Sequence, residues 1–211
     1  MTDAMRAYRP IADRRRQLID TGLAIGEREG VAAVTARRVA SEAGVSLGLV
    51  SYCFATKDDL TVAMAQRIAE DTAEVADEPL ELAPRDSVAH ERSSELERAL
   101  NAALKRLWDL HEAAPGRQLL TYEITTRALR EPRLNDVAQL QYDTAVRSCG
   151  GVLQHVADLV GATWDRDVEE VSSLAVMAID GATLRWLVDK DSEAALRRLS
   201  DVARLLTTMA H

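Results

Sequence analysis

Apolar residues recur three and four positions apart along almost the whole of this 211-residue chain, and no segment alternates polar with apolar residues over a useful length. The first spacing places side chains on one face of an α-helix, whereas alternation is typical of a half-buried β-strand. Leu60, Met64 and Ile68 form one such helical stripe. The pattern predicts an all-α fold of about nine helices.

Residues with helix-end preferences divide this pattern into segments. Ser, Thr and Asp favour helix N-caps, and Gly favours the residue after a helix. We expect Thr56 and Asp59 to form a capping box, Asp165 to cap the eighth helix, and residues 77–92, which contain two prolines, to form a loop. The predicted helices span approximately residues 11–28, 36–43, 47–53, 57–75, 94 to the break at Pro115, 117–130, 132–159, 166–189 and, after Asp191-Ser192, a ninth.

Composition narrows the class of protein. A hydrophobic content of 47% indicates a globular chain rather than a disordered one. No apolar run reaches the length of a membrane span, and the charged N-terminal stretch has no signal-peptide core. Cys53 and Cys149 are too isolated to suggest a disulfide framework or a metal motif. We therefore expect a cytoplasmic protein without metal or cofactor.

The two parts of the chain differ in charge. Residues 1–57 contain nine Lys or Arg against six Asp or Glu, a net +3, whereas the remainder carries −11. A basic segment attached to an acidic body favours, weakly, a nucleic-acid-binding head.

The segment from Thr35 to Leu60 has the pattern of a helix–turn–helix, which supports a nucleic-acid-binding head. Two short helices meet at Ala43-Gly44-Val45-Ser46, where glycine permits the positive φ of a helix–turn–helix corner. The second helix would project four residues outward and fit the major groove of DNA. These four residues are Leu47, Gly48, Leu49 and Tyr52.

This stretch resembles the TetR (tetracycline repressor) family over roughly residues 14–68. The matching features are the helix RRRQLIDTGLAIGEREG, then T-x-R-x-V-A-x-x-A-G-V-S, G-L-V-S-Y-x-F and K-D-D-L. Further along, Asp180 to Leu187 (DGATLRWL) is similar to the penultimate helix of many members.

The resemblance implies a helix–turn–helix DNA-binding domain over residues 1–57 and a helical effector-binding and dimerisation domain over residues 58–211. It also implies a transcriptional regulator, more readily a repressor than an activator, that leaves its operator when a small molecule binds. Leu47 departs from the polar residue frequent in relatives, and Cys53 from a frequent histidine. The residues implied to contact DNA are Thr35, Arg37, Ser46, Leu47, Gly48, Leu49, Tyr52 and Lys57.

Two further sites are predicted in the second domain. Polar and aromatic residues near apolar stripes of the fifth to seventh helices could line an effector pocket, since such pockets combine apolar walls with a few polar groups. The predicted lining is Trp108, His111, Tyr122, Glu123 and His155. Apolar residues of the last two helices exceed the need of one intramolecular seam and predict a two-fold dimer through Val176, Ile179, Gly181, Leu184, Leu196, Leu199, Val202 and Leu206.

Two other classes of protein are alternatives. A di-iron enzyme in a helical bundle would require Glu-x-x-His pairs, and the sequence has none. Phosphate-loop, zinc and nucleophile-elbow motifs are also missing. A helical structural or partner-binding protein without DNA function fits the periodicity equally well, and salt-dependent DNA binding would distinguish it.

Overall fold

The computed structural model describes residues 10–77 and 92–211, and in these ranges it contains nine α-helices, two short 3₁₀ turns and no strand. The all-α prediction is confirmed. The 3₁₀ turns are Val31–Ala33 and Pro132–Leu134. The helices are α1 (Ile11–Glu29), α2 (Ala36–Ala43), α3 (Leu47–Cys53), α4 (Lys57–Asp77), α5 (Arg92–Ala113), α6 (Pro115–Ala128), α7 (Asn135–Val160), α8 (Val168–Asp189) and α9 (Ser192–Thr207).

Short-range signals account for several helix ends. Gly44 and Gly161 follow α2 and α7 in the left-handed conformation, with φ of 66° and 69°. The Asp59 carboxylate accepts the Thr56 N–H at 2.8 Å, and the Thr56 hydroxyl accepts the Asp59 N–H at 3.1 Å. The predicted capping box is therefore confirmed. The predicted loop covers residues 77–92. Residue 77 ends α4 and residue 92 begins α5, and residues 78–91 lie outside the described ranges.

The predicted cap of the eighth helix is wrong. Asp167, not Asp165, precedes α8, and its side chain accepts the Glu169 N–H at 2.9 Å. Asp165 instead donates its backbone N–H to the Met209 carbonyl at 2.8 Å, and its carboxylate lies 2.6 Å from His211 Nδ1. Pairing with the C-terminal segment holds Asp165 outside the helix, so α8 begins later than expected.

Two apolar cores stabilise the molecule, and the boundary between them does not fall at residue 57. The first combines buried residues of α1 to α4 with those of α6 and the start of α7. The second combines α5, the C-terminal part of α7, α8 and α9. Because α6 contributes Leu120 and Ile124 to the first core, the N-terminal helices rest directly on α6.

Helix α8 is the most apolar long helix in the described part of the chain. By length and composition alone it could cross a membrane. It packs against both α7 and α9, and its buried side belongs to the second core. Core packing therefore explains much of its apolar character.

Candidate nucleic-acid interface and effector region

The corner between α2 and α3 brings the predicted recognition helix to the surface. The Val45 N–H donates to the Ala40 carbonyl at 3.0 Å across the corner. A Cβ atom at Gly44 would meet nothing within 4 Å, so this position requires glycine for its backbone angle and not for space. Val39 and Val50 are buried beneath the corner. The opposite face of α3 is consequently left to solvent.

The exposed residues of α3 are Leu47, Gly48, Ser51 and Tyr52, and Tyr52 is 77% exposed. Ser46 caps the helix by accepting the Leu49 N–H at 3.3 Å, and Leu49 itself is half-buried. A Cβ atom at Gly48 would touch only the Ser46 hydroxyl, at 3.9 Å. Packing does not demand glycine there. Its absent side chain leaves a low point on the helix, where a base edge can approach the backbone closely.

Two adjacent arginines of α2 have different surroundings. Arg38 donates to Glu29 at 2.7 Å and to Glu42 at 3.4 Å. Arg37 is exposed and has no hydrogen bond or ion pair with any residue in the described ranges. Thr35 caps α2 by accepting the Arg38 N–H at 3.2 Å. The guanidinium of Arg37 is thus the one of this pair available to an external phosphate or base.

Lys57 lies at the start of α4 and is half-buried. Its Nζ donates to the Ala32 carbonyl at 3.1 Å, which ties the first 3₁₀ turn to α4. Burial, and then the nearby charge of Arg127, lowers the pKa of the Lys57 ammonium. Any phosphate contact by Lys57 would share the ammonium group with this internal hydrogen bond.

Polar side chains of α6 attach the N-terminal helices to the rest of the molecule. Arg117 forms ion pairs with Glu27 on α1 and with Asp71 on α4, the latter at 2.9 Å. Glu123 accepts the Val31 N–H at 2.6 Å, at the start of the first 3₁₀ turn. Glu123, predicted as effector lining, therefore contacts the N-terminal helices instead of the interior of the second core.

Two of the predicted effector residues lie together on α5 and face α8. Trp108 is 1% exposed, and its ring packs edge-on against Trp186 with centroids 5.2 Å apart. His111 Nδ1 lies 3.1 Å from Thr183 Oγ1. Burial lowers the pKa of His111 to about 4, so its imidazole is neutral at neutral pH. His155, by contrast, is exposed on α7 and lies apart from this group.

Tyr122 joins a polar cluster that sequence reasoning did not identify as a site. Its hydroxyl donates to Asp180 Oδ1 at 3.1 Å, and the hydroxyl of Tyr142 donates to Asp180 Oδ2 at 2.9 Å. We call Asp180, Tyr122 and Tyr142 the Asp180 cluster. The available signal was one acidic residue inside an otherwise apolar stretch of α8, VMAIDGATL.

The predicted dimer residues fall into three groups by burial. Val176, Leu199 and Leu206 are buried within the protomer, and Ile179, Leu196 and Val202 are half-buried. Gly181 and Leu184 are exposed. They belong to a continuous exposed face of α8, the α8 stripe, whose members are Leu174, Met177, Gly181, Leu184 and Val188.

A helix–turn–helix with an exposed recognition helix, seated on a larger helical bundle, defines a DNA-binding transcriptional regulator. The family model for bacterial regulatory proteins of the tetR family matches residues 18–64. The nicotine-responsive transcriptional repressor HdnoR of Paenarthrobacter nicotinovorans is 27% identical over 177 residues, 84% of this chain and 85% of that protein.

Solved structures show the same architecture over nearly the full length. The multidrug binding protein EbrR complexed with ethidium aligns with a TM-score of 0.60 and 28% identity, covering 90% of this chain and 98% of that one. A TetR transcription regulator from Haloarcula marismortui aligns with a TM-score of 0.71 and 21% identity, covering 95% and 100%. The latter is similar in fold alone. Residues 18–64 thus match the tetR family of bacterial regulatory proteins, and over most of its length the chain is similar to transcriptional regulators of that kind.

Proposed function

We propose that this protein is a repressor that binds an operator as a homodimer and leaves it when a small molecule binds in the C-terminal domain. The observation that carries the proposal is the exposed face of α3, with Tyr52 and the unpaired Arg37 beside a glycine that packing does not require. We retain the functional division into residues 1–57 and 58–211.

The DNA contacts are tested on duplexes taken from the DNA flanking the gene. We expect Arg37→Ala and Tyr52→Ala each to weaken binding by roughly 5- to 150-fold, because a direct contact contributes about 1–3 kcal/mol. Arg38→Ala is the matched control, since Arg38 has the same charge on the same helix but is paired with Glu29 and Glu42. Fluorescence anisotropy measures all three.

Two further results bear on the same contacts. Lys57→Ala should flatten the dependence of log K on log salt by about one unit if Lys57 also contacts a phosphate. Equal affinities of the Arg37, Tyr52 and Arg38 variants would contradict the assignment of this face to DNA.

The α8 stripe supports a homodimer. Met177 is 60% exposed and Val188 77% exposed, and contiguous exposed apolar residues on a globular protein commonly mark an interface. A second copy is the natural occupant because a two-fold interface is self-complementary, and the same helix face then covers itself. Two recognition helices would then meet major grooves about 34 Å apart or a multiple of it.

Sedimentation velocity tests the dimer. Val188→Glu places a charge on the α8 stripe and should shift the protein towards monomer and weaken operator binding. Leu129→Glu is the control, because Leu129 is an exposed apolar residue at the end of α6, away from α8. A Val188→Glu protein that stays dimeric at micromolar concentration would refute this interface.

The effector is proposed to act on α6. Tyr122, in the Asp180 cluster, and Glu123, which holds the Val31 N–H, are adjacent on that helix. A ligand that moves Tyr122 would also move Glu123 and the N-terminal helices that rest on it. An effector can shift such an equilibrium only if it binds one state better than the other. HdnoR is named as nicotine-responsive and EbrR as multidrug binding, which supports a small-molecule effector here.

We also propose that the protein acts in the cytoplasm and without catalysis. The relatives compared above are named as regulators, not as enzymes. A turnover screen with candidate effectors tests this, and conversion of an effector during incubation would contradict it.

A further inference from the structure

The Asp180 carboxylate lies where three helices meet. It belongs to α8, and it accepts one hydrogen bond from Tyr122 on α6 and one from Tyr142 on α7. The carboxylate is half-buried, whereas Tyr142 is 44% exposed, so the cluster opens to the surface beside the Tyr142 ring. Both carboxylate oxygens are therefore oriented by groups from neighbouring helices.

This carboxylate has no cationic partner. Within residues 10–77 and 92–211, no Lys, Arg or His nitrogen forms an ion pair with Asp180. Two other half-buried acids do have one: Asp58 pairs with Arg127 at 2.7 Å, and Asp71 pairs with Arg117 at 2.9 Å. Glu123 resembles Asp180 instead, because it accepts the Val31 N–H and forms no ion pair within the described residues. A partly buried carboxylate without a cation is costly, and hydrogen bonds offset only part of that cost.

The groups around the carboxylate do not supply a positive charge. Burial and the Asp180 hydrogen bond raise the pKa of Tyr142 to about 12, and burial with the Asp180 charge raises that of Tyr122 as well. Both phenols stay protonated and act as donors. The cluster therefore presents a carboxylate held between two phenol hydroxyls.

We propose that Asp180, Tyr122 and Tyr142 form the recognition site for an organic cation that carries aromatic rings. The assignment rests on the proposed function, because it names the chemical class of the effector. The carboxylate forms a charge-assisted contact with the cation, and the phenol rings add cation–π attraction.

The test uses the full-length protein without DNA and two probes, ethidium and tetraphenylphosphonium. The second is not planar and does not intercalate, so it also serves in operator-release assays. Asp180→Asn keeps the size of the side chain and removes its charge, and it should lower the affinity for both cations tenfold or more. Asp158→Asn is the control, because Asp158 is an exposed acid of α7 whose contact is Gln154.

Charge specificity is tested with anilinonaphthalene sulfonate, an aromatic anion. Its affinity should be unchanged or higher in Asp180→Asn. Tyr142→Ala, at a partly exposed position, should lower cation affinity by a similar factor even if Asp180→Asn fails to fold. Circular dichroism establishes which variants are folded.

The outcomes separate this site from the proposed function. Cation affinities within twofold of wild type in folded Asp180→Asn and Tyr142→Ala would overturn the site, whatever the operator assay shows. A tenfold change in the dimer dissociation constant with unchanged cation affinity would also overturn it, because Asp180 would then serve the partner subunit. If the wild-type protein does not bind its operator, the proposed function is overturned. The assignment of the cation site would still stand, because it is tested without DNA.

Discussion

The exposed face of α2 and α3, which we propose contacts DNA, and the Asp180 cluster are built in opposite ways. The first is assembled from residues 35–57, whose caps and glycine corner are satisfied by neighbours three to five positions away. The second combines side chains of α6, α7 and α8, which no local pattern places together. A contiguous surface is specified by short-range rules, but a cluster between helices depends on how the helices pack.

The two regions also use charge differently. Arg38 is neutralised by two acids, whereas its neighbour Arg37 has no partner among residues 10–77 and 92–211, so the N-terminal surface offers a cation. The Asp180 cluster instead offers a carboxylate that has no cationic partner in the described part of the chain. This difference fits a molecule whose two ends bind partners of opposite charge.

The prediction with the largest expected effect concerns His111. It tests whether the stability of the protein depends on this histidine being neutral. The folded-state pKa of His111 is about 4 and the unfolded value about 6.5, so the unfolded chain binds the proton more readily. The stability that His111 supports is complete above pH 6.5 and is lost as the pH falls to 4. Between pH 6.5 and pH 4, we expect the free energy of unfolding of the wild-type protein to fall by up to about 3 kcal/mol more than that of His111→Asn.

Urea unfolding at a series of pH values measures this difference. His155→Asn is the control, because His155 is exposed and should change the acid sensitivity little. Parallel stability curves for wild type and His111→Asn would show that His111 is accessible to water in the folded protein.

The prediction with the next largest effect concerns the contact between α1 and α6, where the N-terminal helices meet the rest of the molecule. A Cβ atom at Gly116, in the first turn of α6, would overlap the backbone carbonyl of Glu27 on α1. We expect Gly116→Ala to destabilise the protein by about 1–3 kcal/mol, because overpacking forces α1 and α6 apart. The free energy of unfolding in urea checks the value.

Gly151→Ala is the matched substitution. Gly151 lies within α7, and a Cβ atom there would meet nothing within 4 Å. The same change should stabilise the protein by about 0.5–1 kcal/mol, because alanine lowers the entropy of the unfolded chain. Equal effects of the two substitutions would mean that α1 and α6 are not in close contact.

The prediction with the smallest expected effect concerns the contact between Glu123 and the N-terminal helices. Glu123→Ala removes the acceptor of the Val31 N–H and should cost about 1 kcal/mol, whereas Glu123→Gln should cost less because its amide oxygen can still accept. Hydrogen exchange of the Val31 amide reports the contact directly. Unchanged protection of that amide in Glu123→Ala would break the proposed link from effector to DNA.

The sequence by itself determined the helices and the DNA-binding corner. Gly44 ends α2 because only glycine adopts its positive φ without strain, and Thr56 with Asp59 caps α4 through groups three residues apart. These interactions lie within one helical turn, so a linear pattern contains them. Periodicity likewise predicted the stripe of α4, whose members are buried.

Tertiary structure decided the rest. The cap of α8 moved from Asp165 to Asp167 because the C-terminal segment pairs with the preceding loop. Glu123 and Tyr122 are adjacent in sequence, yet one contacts the N-terminal helices and the other Asp180, because neighbouring residues of a helix point in directions about 100° apart. Which neighbour each direction meets depends on the packing of distant helices, and no short-range rule contains that information.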